Sequence, residues 1–259
     1  MTDQHTPPTV DEPPRQDSEI DPTRRRLLAM AGGVVALSLA PGVSVLARTL
    51  AGGKGTGRAQ PIRYGLLIDA TKCTGKCDAC VNACVRYNGL STDRGPDYSQ
   101  WIRKVTVTDP KTGSVSRFPV MCQHCAEPAC VEVCPTGASF KRSDGIVLVD
   151  KHRCIGCRYC MMACPYKARS FVARNLTDQK PWSPRGRGSV EACTLCVERV
   201  DKGQIPACVE ACGSQGKKAM LFGNLHDPKS EIAKRLAQYP TTTIRADLGM
   251  APGVHYRGI

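Results

Sequence analysis

The residues in this sequence best suited to chemistry are its cysteines. There are sixteen, and they fall into four groups of four with none left over. The first group is Cys73, Cys77, Cys80 and Cys84, and the second is Cys122, Cys125, Cys130 and Cys134. The third is Cys154, Cys157, Cys160 and Cys164, and the fourth is Cys193, Cys196, Cys208 and Cys212. Thiolates at this density suit soft metal centres. The third group reads C-x2-C-x2-C-x3-C-P, the run used by bacterial ferredoxins. Three cysteines so closely spaced can take three corners of one iron–sulfur cube. The fourth starts the next turn and reaches the other cube of a pair. The sixteen cysteines therefore predict four [4Fe–4S] clusters, with the groups working in pairs. Pro135 and Pro165 follow the last cysteines of the second and third groups. A proline there donates no N–H and turns the chain away.

Other cysteine chemistries fit less well. A structural zinc site takes two well-separated pairs, and a triplet within seven residues crowds a single tetrahedral ion. Only the fourth group, seen alone, could pass for zinc. A cysteine-rich zinc or metal-storage protein without redox function is the alternative from another class. A disulfide scaffold has no need of the ferredoxin run. Covalent haem c needs CxxCH, and no CxxC here is followed by His. Of the five histidines, His124 lies between two cysteines of the second group and His152 just before Cys154. Both read as neighbours that pack against clusters or tune them by hydrogen bonds. There is no Ser/His/Asp set, no suggestive carboxylate pair and no nucleotide loop. The GKGTG stretch at 53–57 reads as linker. The chain is expected to have no catalytic residue of its own.

The elements that must position these cysteines repeat along the chain. Gly65–Asp69 and Ile146–Asp150 each read as a short strand ending in an Asp four residues before a cysteine, Cys73 or Cys154. Short helices are expected at Asp78–Tyr87 and Tyr159–Cys164. Strand, cysteine loop and helix form the ferredoxin half-unit. Between the first two groups, Trp101–Thr108 and Ser114–Val120 alternate like strands around an Asp109–Gly113 turn, which reads as an inserted β-hairpin. The predicted fold class is α+β: two interlocked bacterial-ferredoxin-like modules with a small core that the clusters stabilise. Aromatic residues are only 5% of the 259, so an aromatic-rich core is not expected. Ser230–Gln238 reads as a short amphipathic helix, and the last twenty residues as extended and polar, with little to bury.

Formal net charge is +13. The basic residues are scattered among the cysteines, which argues against nucleic acid as a partner. A [4Fe–4S] cube with four thiolates carries about two negative charges, so the excess Lys and Arg read as compensation for buried anions. Near the start, Thr23-Arg24-Arg25-Arg26-Leu27-Leu28 precedes a moderately apolar stretch to Ala40, then Pro41-Gly42 and Val45-Leu46-Ala47. This resembles a twin-arginine export signal cleaved near Ala47. That route exports folded proteins, which suits a protein loaded with clusters in the cytoplasm. No later segment reads as a bilayer span. The expected organisation is a signal at 1–47, a linker at 48–62, a four-cluster domain at 63–225 and a partner-binding strap at 226–259.

From about Arg63 to Leu225 the chain resembles the four-cluster iron–sulfur subunits of membrane-bound oxidoreductases. These include the electron-transfer subunits of dimethyl sulfoxide, polysulfide, tetrathionate and nitrite reductase systems. All four groups occur in order, and Ile155–Cys160 and Ala163-Cys164-Pro165-Tyr166 look much like the third motif. The resemblance implies that the first group pairs with the fourth and the second with the third. Carried over residue by residue, one cube takes Cys73, Cys77, Cys80 and Cys212, and its neighbour takes Cys84, Cys193, Cys196 and Cys208. A third takes Cys122, Cys125, Cys130 and Cys164, and the last takes Cys134, Cys154, Cys157 and Cys160. Three residues between Cys73 and Cys77, where the family usually has two, widen one loop. That spacing, the twin-arginine leader and the lack of a C-terminal membrane helix look most like the periplasmic DsrO branch, found in DsrMKJOP complexes of sulfur metabolism. The resemblance implies an NrfD-like, quinone-interacting membrane subunit as partner, with a haem c protein as a further one. It also implies a periplasmic location at the membrane, held there by partners. The alternative within the class is the iron–sulfur subunit of a molybdopterin reductase.

Overall fold

The computed structural model describes residues 61–259, apart from Thr74, Lys76, Pro96, Asp178 and Gly216. The expected export signal and almost all of the expected linker lie outside these residues. β1 (Tyr64–Asp69) begins the described fold. Its Leu66, Leu67 and Ile68 are consecutive apolar residues, the pattern of a strand covered on both faces, and all three are buried. β1 ends in Asp69, whose carboxylate accepts the Thr71 N–H at 3.2 Å. This turns the chain through Ala70–Lys72 to Cys73, whose own N–H reaches the Ala70 carbonyl at 3.0 Å. Asp150 repeats the device before Cys154. It accepts the His152 N–H at 2.9 Å, and the Cys154 N–H bonds its carbonyl. The Asp four residues before each cysteine group is thus an Asx turn that launches the ligand loop.

Helix α1 (Ala79–Asn88) follows, and Gly89 ends it in the left-handed conformation that favours glycine. Cys80 and Cys84 stand one turn apart on it. β2 (Ile102–Thr108) and β3 (Val115–Met121) pair antiparallel, with Ile102 opposite Met121 and Thr108 opposite Val115. The base of this hairpin is buried at Ile102, Val120 and Met121, and its tip is exposed. Beyond it come α2 (Ala129–Glu132), β4 (Ser139–Lys141) and β5 (Val147–Val149), then α3 (Tyr159–Ala163), β6 (Arg169–Phe171) and β7 (Val190–Ala192). α4 (Val197–Val200), α5 (Ala207–Ser214), β8 (Met220–Asn224), α6 (Glu231–Gln238) and β9 (Val254–Arg257) complete the chain.

The pairing follows one rule. The strand leaving each cysteine group pairs antiparallel with the strand entering the next: β2 with β3, β4 with β5, and β6 with β7. β8, leaving the fourth group, pairs with β1, entering the first. Among the described residues the architecture is α+β, built of short helices and four small sheets. Seven cysteines belong to the buried apolar cluster, so the ligand side chains are also core side chains. Two aromatic pairs lie beside β1. Phe118 meets Tyr256 edge-on at 5.4 Å, and Tyr64 stacks on Phe222 at 5.2 Å.

The end of the chain buries more than its composition suggested. Residues 226–259 add α6 and β9 to the one compact unit that the described residues form. β9 pairs parallel to β1, and the β8–β1–β9 sheet is complete only with it. Val254 and Tyr256 are buried, and Ile232 of α6 is fully buried. The short polar look of the last residues hid an alternation of buried and half-buried positions along β9. Ser230 caps α6, accepting the Ala233 N–H at 3.2 Å.

Candidate metal centres

The cysteines gather in four places, and each place draws on two groups. Cys73, Cys77 and Cys80 line one cavity with Cys212 from α5, alongside Lys104, Pro119 and Met220. Cys154, Cys157 and Cys160 line another with Cys134, beside Ile155 and Val190. Cys84 is buried with the fourth group. Burial pushes the Cys84 and Cys208 thiols well up, and Cys193 and Cys196 add to both. At the second group Cys122 is pushed up to about 12 and Cys125 up to about 11, by burial first; the Arg169 charge opposes the rise at Cys122, and Cys130 and Cys164 contribute to both.

Packing explains these exchanges. α1 and α5 lie against each other. Cys84 on α1 therefore faces the fourth group, while Cys212 on α5 returns to the first. α2 and α3 pack together in the same way, which brings Cys134 to the third group and Cys164 to the second.

Several hydrogen bonds end on sulfur. Backbone N–H groups of Ser139, Val190 and Ala219 donate to Cys134 at 3.3 Å, Cys154 at 3.4 Å and Cys212 at 3.3 Å. Asn88 Nδ2 reaches Cys84 Sγ at 3.5 Å. Burial raises Cys134, but the Ser139 N–H and the Thr136 groups outweigh it and hold that thiol below its ordinary value. Elsewhere crowding dominates. Cys73 is pushed up to about 11 and Cys80 to about 12, by burial first and then by Cys212. Four thiolates cannot share such a space without a compensating cation, and the iron of a cluster supplies one.

Orphaned donors test the fit further. Among buried polar atoms without a partner are His124 Nε2, Tyr166 Oη, and Arg169 Nε and Nη1. All three residues adjoin the second-group cysteines. His124 Nδ1 accepts the Val147 N–H at 3.0 Å, so its ring proton sits on the unpaired Nε2. Tyr166 lies beside Cys125, and Arg169 donates to Cys130 Sγ at 3.0 Å. Buried donors of this kind require acceptors, and the sulfurs of a [4Fe–4S] cube provide them. All sixteen cysteines are unbridged. Among the described residues no three His, Cys, Asp or Glu side chains converge as a single metal ion requires. Two of the gatherings, Cys73/Cys77/Cys80/Cys212 and Cys134/Cys154/Cys157/Cys160, each line a cavity.

His124 is buried, as its place in the motif suggested, whereas His152 is exposed. Arg169 and Tyr166 were not legible as site residues. The available signal was position: Ser139 and Arg169 both stand five residues after a Cys-Pro cysteine. The widened Cys73–Cys77 loop is braced by the hairpin, since Lys104 Nζ on β2 donates to the Gly75 and Cys77 carbonyls at 3.2 and 2.7 Å. At the third group Cys157 is exposed, with Ile155, Tyr159 and Met162 around it 68, 54 and 66% exposed.

Two models of the 4Fe-4S dicluster domain match the chain, one over residues 71–138 and one over 114–224. The chain is 42% identical to the Hdr-like menaquinol oxidoreductase iron-sulfur subunit 1 of Archaeoglobus fulgidus, over 75% of this chain and 82% of that protein. It is 38% identical to a sulfite dehydrogenase subunit of Allochromatium vinosum, with the same coverage of 75 and 82%. It is 36% identical to protein NrfC of Escherichia coli K12 over 90% of this chain and 94% of that one. With two dicluster domains and four gatherings of cysteine, the chain carries four [4Fe–4S] clusters and belongs to the family of iron–sulfur electron-transfer subunits of oxidoreductase complexes.

Proposed function

We propose that this chain is the exported iron–sulfur subunit of a membrane-bound, DsrO-like complex of sulfur-compound metabolism. It relays single electrons between a quinone-interacting, NrfD-like membrane subunit and a redox partner such as a haem c protein. The observation that carries the reading is the exchange of cysteines between groups. Cys212 stands with Cys73, Cys77 and Cys80, and Cys84 with Cys193, Cys196 and Cys208. Cys164 stands with Cys122, Cys125 and Cys130, and Cys134 with Cys154, Cys157 and Cys160. These are the proposed ligand sets, two interlocked pairs. Each cluster, when bound, supplies one-electron redox chemistry. The residues of this chain make and break no substrate bond. They hold the cubes at fixed spacing, exclude water and aim N–H groups at sulfur. Similarity to a menaquinol oxidoreductase subunit supports a quinol as the electron source, and similarity to a sulfite dehydrogenase subunit supports sulfur chemistry at the other end. Among the described residues no helix is long and apolar enough to cross a membrane, and attachment through a partner fits that.

Iron analysis of the anaerobically purified protein tests the number and kind of clusters. About sixteen irons per chain and a broad brown absorbance bleached by dithionite are expected. Four or fewer irons, or a colourless protein, would sink the proposal. Reduction by menaquinol only in membranes that hold the partner subunit tests the quinol end.

A further inference from the structure

Arg169 opens β6 and is 5% exposed, yet among the described residues it pairs with no carboxylate. The contrast is Arg185, similarly buried, whose guanidinium grips Glu191 at 2.7 Å. A buried guanidinium without an anion is costly, and this one keeps its charge at any working pH. Its Nη2 donates to Cys130 Sγ at 3.0 Å and to Ser139 Oγ at 2.7 Å, while Nε and Nη1 have no partner. Its charge also bears on Cys122 and Cys160. Cys122 and Cys130 belong to one proposed ligand set, and Cys160 to the other. Ser139 fixes the geometry: it stands five residues after Cys134 as Arg169 does after Cys164, and its N–H bonds Cys134 Sγ. The two halves of the repeat thus meet where a hydroxyl holds a cation between two sulfur sites.

We infer that Arg169 is the shared counter-cation of two neighbouring cubes, those of Cys122/Cys125/Cys130/Cys164 and Cys134/Cys154/Cys157/Cys160, and raises the reduction potential of both. The inference rests on the ligand sets proposed above. Reduction adds one electron to a cube and makes it more negative, so a fixed positive charge stabilises the reduced state. Arg169 stays protonated throughout, and no proton moves with the electron. Arg169 is a positioning residue: it sets the energy at which two adjacent steps of the relay exchange electrons, and it lessens their mutual repulsion when both are reduced.

The test is an EPR-monitored redox titration of the full-length holoprotein, wild type against Arg169→Gln and Arg169→Lys, with iron counted on each sample. In Arg169→Gln two of the four potentials should fall by at least tenfold in the reduction equilibrium, about 59 mV for one electron, with the other two unmoved. Arg169→Lys, which keeps the charge without the fork, should restore part of the loss. If Arg169→Gln cannot hold its iron, the lysine variant decides alone: both potentials must shift together and the other pair must not. Four unchanged potentials, one shifted potential or an equal shift in all four overturns the inference. So does loss of iron in both variants, which would make Arg169 a packing residue. Fewer than four clusters in the wild type would instead overturn the ligand sets.

Discussion

Gly156 lies between Cys154 and Cys157 with φ at +73°, and a Cβ there would stand 2.2 Å from the Gly188 carbonyl oxygen. The third-group loop therefore runs against the backbone of the β6–β7 connection at Gly188, and only glycine fits. Gly156→Ala should cost at least about 1 kcal/mol and loosen the adjacent cluster, read as a lower thermal midpoint and faster iron loss to a chelator. Cys157 gives the complementary measurement. Its side chain is exposed, so Cys157→Ser disturbs little packing and tests ligation directly. The expected result is loss of one cluster signal and about four irons. Unchanged iron content would remove Cys157 from its ligand set.

At the scale of elements, the C-terminal segment holds a ligand loop in place. Gly253 N–H bonds the Gln123 carbonyl at 2.7 Å, and the Ala126 and Glu127 N–H groups bond Ala251 and Met250 at 2.9 and 3.2 Å. These three bonds run along the loop that carries Cys122 and Cys125. Tyr256, fully buried on β9, accepts from Gln123 Nε2 at 3.2 Å and donates to the Pro119 carbonyl at 3.2 Å. Tyr256→Ala should cost about 3–5 kcal/mol, the usual range for emptying a buried aromatic site. Iron beside Cys122 and Cys125 should be the first lost on warming, visible as one cluster signal fading ahead of the others. Simultaneous loss of all four would show that β9 supports the whole sheet rather than this loop. A buried pair ties the end of α1 to β7, where Arg185 binds Glu191 and donates to the Gly89 carbonyl at 2.7 Å.

Charge and cargo bear on the molecule as a whole. The formal +13 counts no cofactor, and four cubes add about eight negative charges. Lys104 and Lys217 line the first-group cavity, and buried Arg169 donates to Cys130 of the second group, so part of the excess is local compensation. A protein whose core includes its own ligands should be loaded before it travels. This is the physical case for the proposed twin-arginine route. Replacing Arg24 and Arg25 by Lys should leave the cluster-loaded protein in the cytoplasm, as cell fractionation would show. Unaltered export would mean that the leader works by another route.

The cysteine groups, their cofactor and the α+β class were legible in the sequence because each depends on local spacing. A C-x2-C-x2-C-x3-C-P run suits iron and sulfide wherever it occurs, and Asp69 and Asp150 make their turns with residues two positions on. Strand and helix positions from Tyr64 to Met121 followed from the same short-range patterns. Tertiary structure decided what long-range contact decides. β9 looked like a polar tail because four residues carry too little periodicity to announce a strand, and only β1, nearly two hundred residues earlier, gives it a place. Arg169 looked like one of 36 basic residues, and only the meeting of β6 with Ser139 makes it a buried cation between two sulfur sites. Spacing determined that sixteen cysteines would bind four cubes. The packing of α1 on α5 and of α2 on α3 decided which cysteines stand together, because a helix sends its ends to different neighbours and no local pattern records which ones.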